Sequence, residues 1–231
     1  MKRLLIATAV AALVLPALVP SNPAAARPVQ PTRTPVEVAP APASPLPHVA
    51  PTPVAPNFTL QDQTGHAVSL IDFTGKVVVL EWINYQCPFV KFHAAAGTMR
   101  SLAEKYKAQG VVWLGINSTK TATRAKDREW IEQNKLPYPV LEDFEGTIGH
   151  AYGAKTTPHM FVINKEGRIV YQGAIDDDRR IEGKATVNYV DQALTALLAG
   201  KPIAQERTEP YGCSVKYRGA PETAPGAKPK T

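Results

Sequence analysis

Residues 76–92 read KVVVLEWINYQCPFVKF, a continuous apolar, β-branched run that ends in a short polar stretch and then a cysteine-proline pair. Such a run suits a strand covered on both faces, because neither set of alternate side chains has to meet water. Pro88 fits the first position of a helix, where no backbone N–H is needed. Cys87 therefore stands where a buried strand gives way to a helix. At a helix start the unpaired amide N–H groups and the positive end of the dipole favour thiolate over thiol. A cysteine kept only as filler would sit more naturally in mid-strand or mid-helix. The chain has two cysteines, and the second, Cys213, lies far along it.

Outward from this stretch the pattern alternates between strand and helix. Before it, FTLQDQTGHAVSL (58–70) reads as a hairpin turning at Thr64 and Gly65. After it, Phe92, Ala95, Met99, Leu102 and Tyr106 recur at steps of three and four and predict one helix stopped by Gly110. VVWLGIN (111–117) predicts a second buried strand, and TRAKDREWIEQNK (123–135) a second helix closed by Pro137. A short strand over 139–141 and a helical turn over 148–152 lead to HMFVIN (159–164) and RIVYQG (168–173), a hairpin with Gly167 at its turn. Val187, Val190, Leu194 and Leu197 give a terminal helix ended by Gly200 and Pro202. The order predicts an α/β domain over 57–217, a central mixed β-sheet flanked by helices with an N-terminal β-hairpin.

The two ends have a different character. Lys2 and Arg3 precede the apolar run LLIATAVAALVLPALV (4–19), and Ala24, Ala25 and Ala26 supply small residues suited to a signal peptidase. The run is shorter than the ~20 residues a span needs and is interrupted by Pro16. The expectation is a cleaved signal peptide over 1–26, no stable membrane span after cleavage, and a periplasmic or extracellular location. Proline recurs every few residues over 27–56, as expected of a semi-rigid spacer. RGAPETAPGAKPKT (218–231) reads as a frayed tail. The 231 residues, 44% of them hydrophobic, suffice for one buried core. The formal charge of +6 is spread without a basic stripe, which argues against nucleic acid as a partner.

In its order of elements and in two local signals the chain resembles the thioredoxin-fold redoxins, in the exported AhpC/TSA-like branch that includes peroxiredoxin-like and cytochrome-maturation thiol proteins. Members carry a buried acid six residues before the first active-site cysteine, and Glu81 stands at that spacing from Cys87. They carry a cis-proline opposite that cysteine, which Thr157 and Pro158 match in TTPHMFVINKEGRIVYQG (156–173). CPFV at 87–90, however, departs from the family's C-x-x-C, because Val90 takes the place of the second cysteine. A local disulfide is therefore excluded. Where peroxiredoxins carry a threonine or serine three residues before the cysteine, Asn84 stands here, so its amide would have to orient a peroxide.

Cys213, in EPYGCSVKY (209–217), lies in a loop-like stretch able to fold back over the site. The resemblance implies a thiol-dependent oxidoreductase, an antioxidant or disulfide-exchange protein. Cys87 would attack a peroxide or a substrate disulfide, Cys213 would resolve the intermediate, and an external thiol reductant would close the cycle. Glu81 would move a proton, and Thr157 and Pro158 would offer backbone groups to an extended substrate. No bound cofactor or metal is expected. Two alternatives stay open: a disulfide-stapled binding protein, in which a static Cys87–Cys213 link contributes ~4–5 kcal/mol, and a copper carrier using His93 and His159 beside Cys87. The acidic run IDDDRR (175–180) reads as a solvated turn.

Overall fold

The structure, a computed structural model, describes residues 52–219. The signal segment expected over 1–26 and the spacer up to residue 51 lie outside the described residues, as does the tail from residue 220. Within the described residues β1 (Thr59–Asp62) and β2 (Ala67–Ser69) form the expected hairpin, followed by a single 3-10 turn over Leu70–Phe73. The remaining strands are β3 (Val78–Trp82), β4 (Val112–Asn117), β5 (Val140–Glu142), β6 (Thr156–Thr157), β7 (His159–Ile163), β8 (Ile169–Gly173) and β9 (Cys213–Ser214). The helices are α1 (Pro88–Ala96), α2 (Thr98–Lys107), α3 (Arg124–Asn134), α4 (Thr147–Tyr152) and α5 (Tyr189–Leu198).

Seven strands make one mixed sheet in the order β2-β1-β5-β4-β3-β7-β8. β3 runs parallel to β4 and antiparallel to β7, so the VVVLEW segment is central and every residue of β3 is buried. Alternation along β3 then divides the core in two. Val79 joins Met160, Val162, Trp113 and Tyr171 beneath α2 and α5, whereas Val78, Leu80 and Trp82 join Phe161, Ile163, Leu114 and Ile116 on the other face beside Phe58 and Tyr152 of α4. The arrangement is thioredoxin-like, as the element order implied.

Three local readings need correction. The helix after Cys87 is not continuous: Gly97, at φ 69°, caps α1 through its N–H on the Ala94 and His93 carbonyls and starts α2. That break resets the helical phase, so α1 buries Val90 and His93 while Ala95 is exposed and Phe92 only half-buried. The acidic run is not a solvated turn either, since Asp176 and Asp178 are both buried. Residues 53–56, assigned above to the spacer, lie along the second hairpin: Ala55 N–H donates to Gly167, and Ile169 N–H to Pro53.

Past α5 the chain returns over the sheet as a strap. Gln172 N–H of β8 donates to the Glu206 carbonyl and Thr208 N–H of the strap to the Gln172 carbonyl, and β9 pairs antiparallel with β6, setting Thr157 opposite Cys213 and Thr156 opposite Ser214. Val215 N–H then donates to Lys155, Lys120 N–H to Lys216, and the Tyr217 hydroxyl to the Ala154 carbonyl. The last part of the domain is thereby brought to the end of β3 where Cys87 sits.

Candidate active site

The link from β3 to α1 is a tight polar turn. The Asn84 carbonyl accepts from Cys87 N–H at 2.9 Å, and its Oδ1 accepts from Gln86 N–H at 2.8 Å. Asn84 is buried and its side-chain oxygen is committed to this turn, which leaves only Nδ2 for any substrate. Cys87 is the N-cap residue of α1 in extended geometry, with Pro88 next. Its sulfur makes no capping bond to the helix. It points instead to the Thr157–Pro158 corner, where the peptide bond is cis and Sγ donates to the Thr157 carbonyl at 3.0 Å.

Cys213 reaches the same corner from the strap. Its backbone pairs with Thr157, the Thr157 hydroxyl leans on the Cys213 carbonyl at 3.5 Å, and its side chain packs on a buried cluster of Ile83, Cys87, Val90 and Val140. Both cysteines are free thiols. Partial burial, together with the adjoining Cys87 sulfur, pushes the Cys213 thiol up to about 12. Cys87 is 2% exposed, covered by the strap that carries Cys213. Gly212 makes this approach possible: it sits at φ +128°, and a Cβ there would fall 2.2 Å from the Thr157 carbonyl oxygen.

Glu81 lies on the face of β3 that carries Val79, beneath the helices. Its Oε2 accepts from Trp113 Nε1 at 3.1 Å and from the Tyr138 hydroxyl at 2.9 Å. Burial raises its carboxyl to about 7, against the two donors, which act in the opposite direction. It also lines a small cavity with Val90, Met99, Arg100 and Trp130. Val90 belongs to the cluster around Cys87 as well, so the acid and the thiol share a neighbour.

Sequence reasoning missed a third group of residues. Tyr211, two positions before Cys213, donates its hydroxyl proton to Asp176 Oδ1 in a short hydrogen bond, and the Tyr211 hydroxyl oxygen lies 3.0 Å from His93 Nε2 on α1. His93 Nδ1 faces the Thr98 hydroxyl at 3.4 Å and Asp176 Oδ2 at 3.9 Å. Burial lowers the His93 pKa, outweighing the opposing pull of Asp176 and Asp178. The Tyr211 hydroxyl is pushed far above its ordinary range by burial and by Asp176. An aromatic residue and a glycine directly before Cys213 were the available signal.

His159 is elsewhere. Its ring lies 4.5 Å from that of Phe161 at a tilt of 42°, on the opposite sheet face from His93, and its Nδ1 accepts from Lys155 N–H. Burial and then Lys155 lower its pKa to about 4. The pairing of His93 with His159 that motivated a copper site is therefore not formed. Among the described residues no group of three His, Cys, Asp or Glu side chains is arranged to hold a metal ion.

Comparison with known proteins agrees with this geometry. The thiol-disulfide oxidoreductase ResA of Bacillus thuringiensis subsp. konkukian is 30% identical over 141 residues, 61% of this chain and 74% of that protein. The chloroplastic peroxiredoxin Q of Oryza sativa subsp. japonica is 34% identical over 125 residues, 51% of this chain and 55% of that protein. The crystal structure of a hypothetical protein from Sinorhizobium meliloti 1021 superposes with a TM-score of 0.68 at 27% identity, covering 74% of this chain and 97% of that one. The AhpC/TSA family model matches residues 51–172, a span that contains Glu81, Asn84, Cys87, Thr157 and Pro158 but ends before Cys213. With its thioredoxin-like sheet and a cysteine at the head of α1 facing a cis-proline corner, the chain belongs to the AhpC/TSA family.

Proposed function

We propose that the chain is an exported thiol oxidoreductase cycling between two free thiols and a Cys87–Cys213 disulfide. The observation that carries this reading is the pairing of Cys213 with Thr157, the residue whose carbonyl holds the Cys87 thiol. Oxidation of Cys87 then occurs beside a second sulfur that a strand pair already holds in place. In the peroxide case the Cys87 thiolate attacks one peroxide oxygen, the O–O bond breaks, and an alcohol or water leaves with a proton. The resulting sulfenic acid is attacked by the Cys213 sulfur, the S–O bond breaks, and water leaves as the disulfide forms. Two equivalents of an external thiol return both sulfurs to the thiol state and depart as their own disulfide.

Glu81, held near 7 by burial, takes up and returns a proton in the resolution step. Peroxide is favoured as the oxidant over an extended protein strand for a specific reason. The edge at Thr157 where such a strand would add is occupied by β9 of the same chain. Small disulfides that reach the same sulfurs are the second reading, favoured by the name of the Bacillus relative. An extracytoplasmic site of action follows from the signal-like N-terminus, and among the described residues no helix is long and apolar enough to cross a membrane.

The test is consumption of hydrogen peroxide and of a small disulfide by the purified protein in the presence of a monothiol, with peptide mapping of the two sulfurs. Cys87→Ser is expected to abolish turnover. Without the monothiol, Cys213→Ser is expected to consume one equivalent of oxidant and stop at a Cys87 sulfenic acid or mixed disulfide, whereas the wild type goes on to the Cys87–Cys213 link. Full turnover by Cys87→Ser, or the absence of any Cys87–Cys213 link after oxidation, would overturn the proposal.

A further inference from the structure

We infer that Tyr211, locked by His93 and Asp176, is a positioning residue that sets Cys213 against Cys87 for disulfide closure. The inference rests on the thiol cycle proposed above and adds to it a determinant of the closing step.

The argument starts from connectivity. His93 and Cys87 belong to the same helical segment, α1 with its N-cap. Tyr211 and Cys213 belong to the same strap, separated by one glycine. A bond from Tyr211 to His93 therefore ties the segment that presents the nucleophile to the segment that presents its partner. Asp176 supplies a fixed third point: its Oδ1 also accepts from Asp178 N–H at 3.0 Å, and the Asp178 carboxylate accepts from the amides of Glu182, Gly183 and Lys184. The loop behind the latch is thus held by its own hydrogen bonds.

The three residues 211–213 divide the work. Tyr211 anchors, with its ring against Phe89 at a centroid distance of 5.9 Å. Gly212 allows the backbone to approach the Thr157 carbonyl more closely than any side chain would permit. Cys213 then carries the sulfur to the buried cluster around Cys87.

Packing alone does not explain the hydroxyl. A phenylalanine ring would fill the same space beside Phe89, and a buried polar cluster stabilises a fold little more than well-packed apolar groups, since desolvation offsets much of the attraction. What a satisfied buried network adds is a single geometry. Geometry is what the closing step requires, because Cys213, with its thiol pushed up to about 12, supplies little thiolate. Its contribution comes from being held at contact distance, as in any reaction made intramolecular.

The test uses the full chain and reads the closing step apart from the first oxidation. The equilibrium between dithiol and disulfide in glutathione buffers gives the effective concentration of Cys213 seen by Cys87. Capture of the sulfenic acid by dimedone gives the competition between closure and trapping. Tyr211→Phe is expected to lower the effective concentration by about tenfold, the worth of one hydrogen bond to a charged group, and to increase dimedone capture. The rate of the first oxidation of Cys87 should be unchanged. Asp176→Asn keeps an acceptor for the hydroxyl and should restore closure toward the wild-type value, whereas Asp176→Ala should match Tyr211→Phe. Wild-type values in both Tyr211→Phe and Asp176→Ala would overturn the inference, as would equal losses in Asp176→Asn and Asp176→Ala. Failure of the wild-type chain to form the disulfide in any buffer would instead overturn the thiol cycle itself.

Discussion

Replacing Glu81 by Gln removes an ionisation that the fold opposes. The carboxyl is completely buried beneath the helices, and its folded-state value is raised from an ordinary 4.5 to about 7. Below pH 4.5 both folded and unfolded chains hold the proton. Between 4.5 and about 7 the folded chain retains a proton that the unfolded chain has released, so rising pH favours unfolding. The stabilisation linked to this proton is therefore fully present below 4.5 and lost as pH climbs through about 7. At about 1.4 kcal/mol for each tenfold in the protonation equilibrium, the loss is about 3 kcal/mol. Glutamine is isosteric with the protonated acid and its oxygen still accepts from Trp113 and Tyr138, the two donors that meet Oε2. The variant should match the wild type near pH 4.5 and exceed it by about 3 kcal/mol at pH 8, measured by urea unfolding of both proteins with reduced thiols. Asp127, also raised to about 7 by burial, is present in both proteins and cancels in the difference. A difference that does not vary with pH, or one that favours the wild type at pH 8, would refute the burial argument. The same substitution should also remove any inflection near neutral pH from the rate of disulfide closure.

Two further outcomes follow from the strap. Gly212→Ala places a methyl group 2.2 Å from the Thr157 carbonyl oxygen at a left-handed φ, so the strap must withdraw. The expected cost is about 1–3 kcal/mol of stability with a sharp fall in Cys87–Cys213 linking under mild oxidation, and linking at the wild-type rate would contradict the geometry. Closing the link in the wild-type chain should raise stability by up to about 5 kcal/mol, since it joins residues more than a hundred positions apart. Urea midpoints of the oxidised and reduced protein test this, and a lower midpoint on oxidation would show that the sulfurs meet only under strain.

Much of the frame was legible from local chemistry. The VVVLEW run had to be a doubly covered strand, and it is the centre of the sheet. The cysteine-proline pair had to head a helix, and Cys87 is the N-cap of α1. Thr157 and Pro158 form the cis corner that the resemblance implied, with the Cys87 sulfur on its carbonyl. Helical phase was less legible. A glycine inside an apolar periodicity is compatible with either a tolerated weak point or a break, and only packing on the sheet decides between them. At Gly97 it is a break, which turned His93 inward and Ala95 outward.

Local chemistry in the chain sufficed for most of the strands and helices, for the N-cap placement of Cys87 and for the spacing of Glu81, because each depends on neighbours a few residues away. Only the tertiary structure decided that Cys213 occupies the edge expected for a substrate, that Asp176 is buried against Tyr211 rather than solvated, and that His93 and His159 lie on opposite faces. The physical reason is that burial of a polar group is set by what folds over it. Here that cover is a strap whose residues lie more than thirty positions from Asp176 and more than fifty from Thr157, beyond the reach of any periodicity.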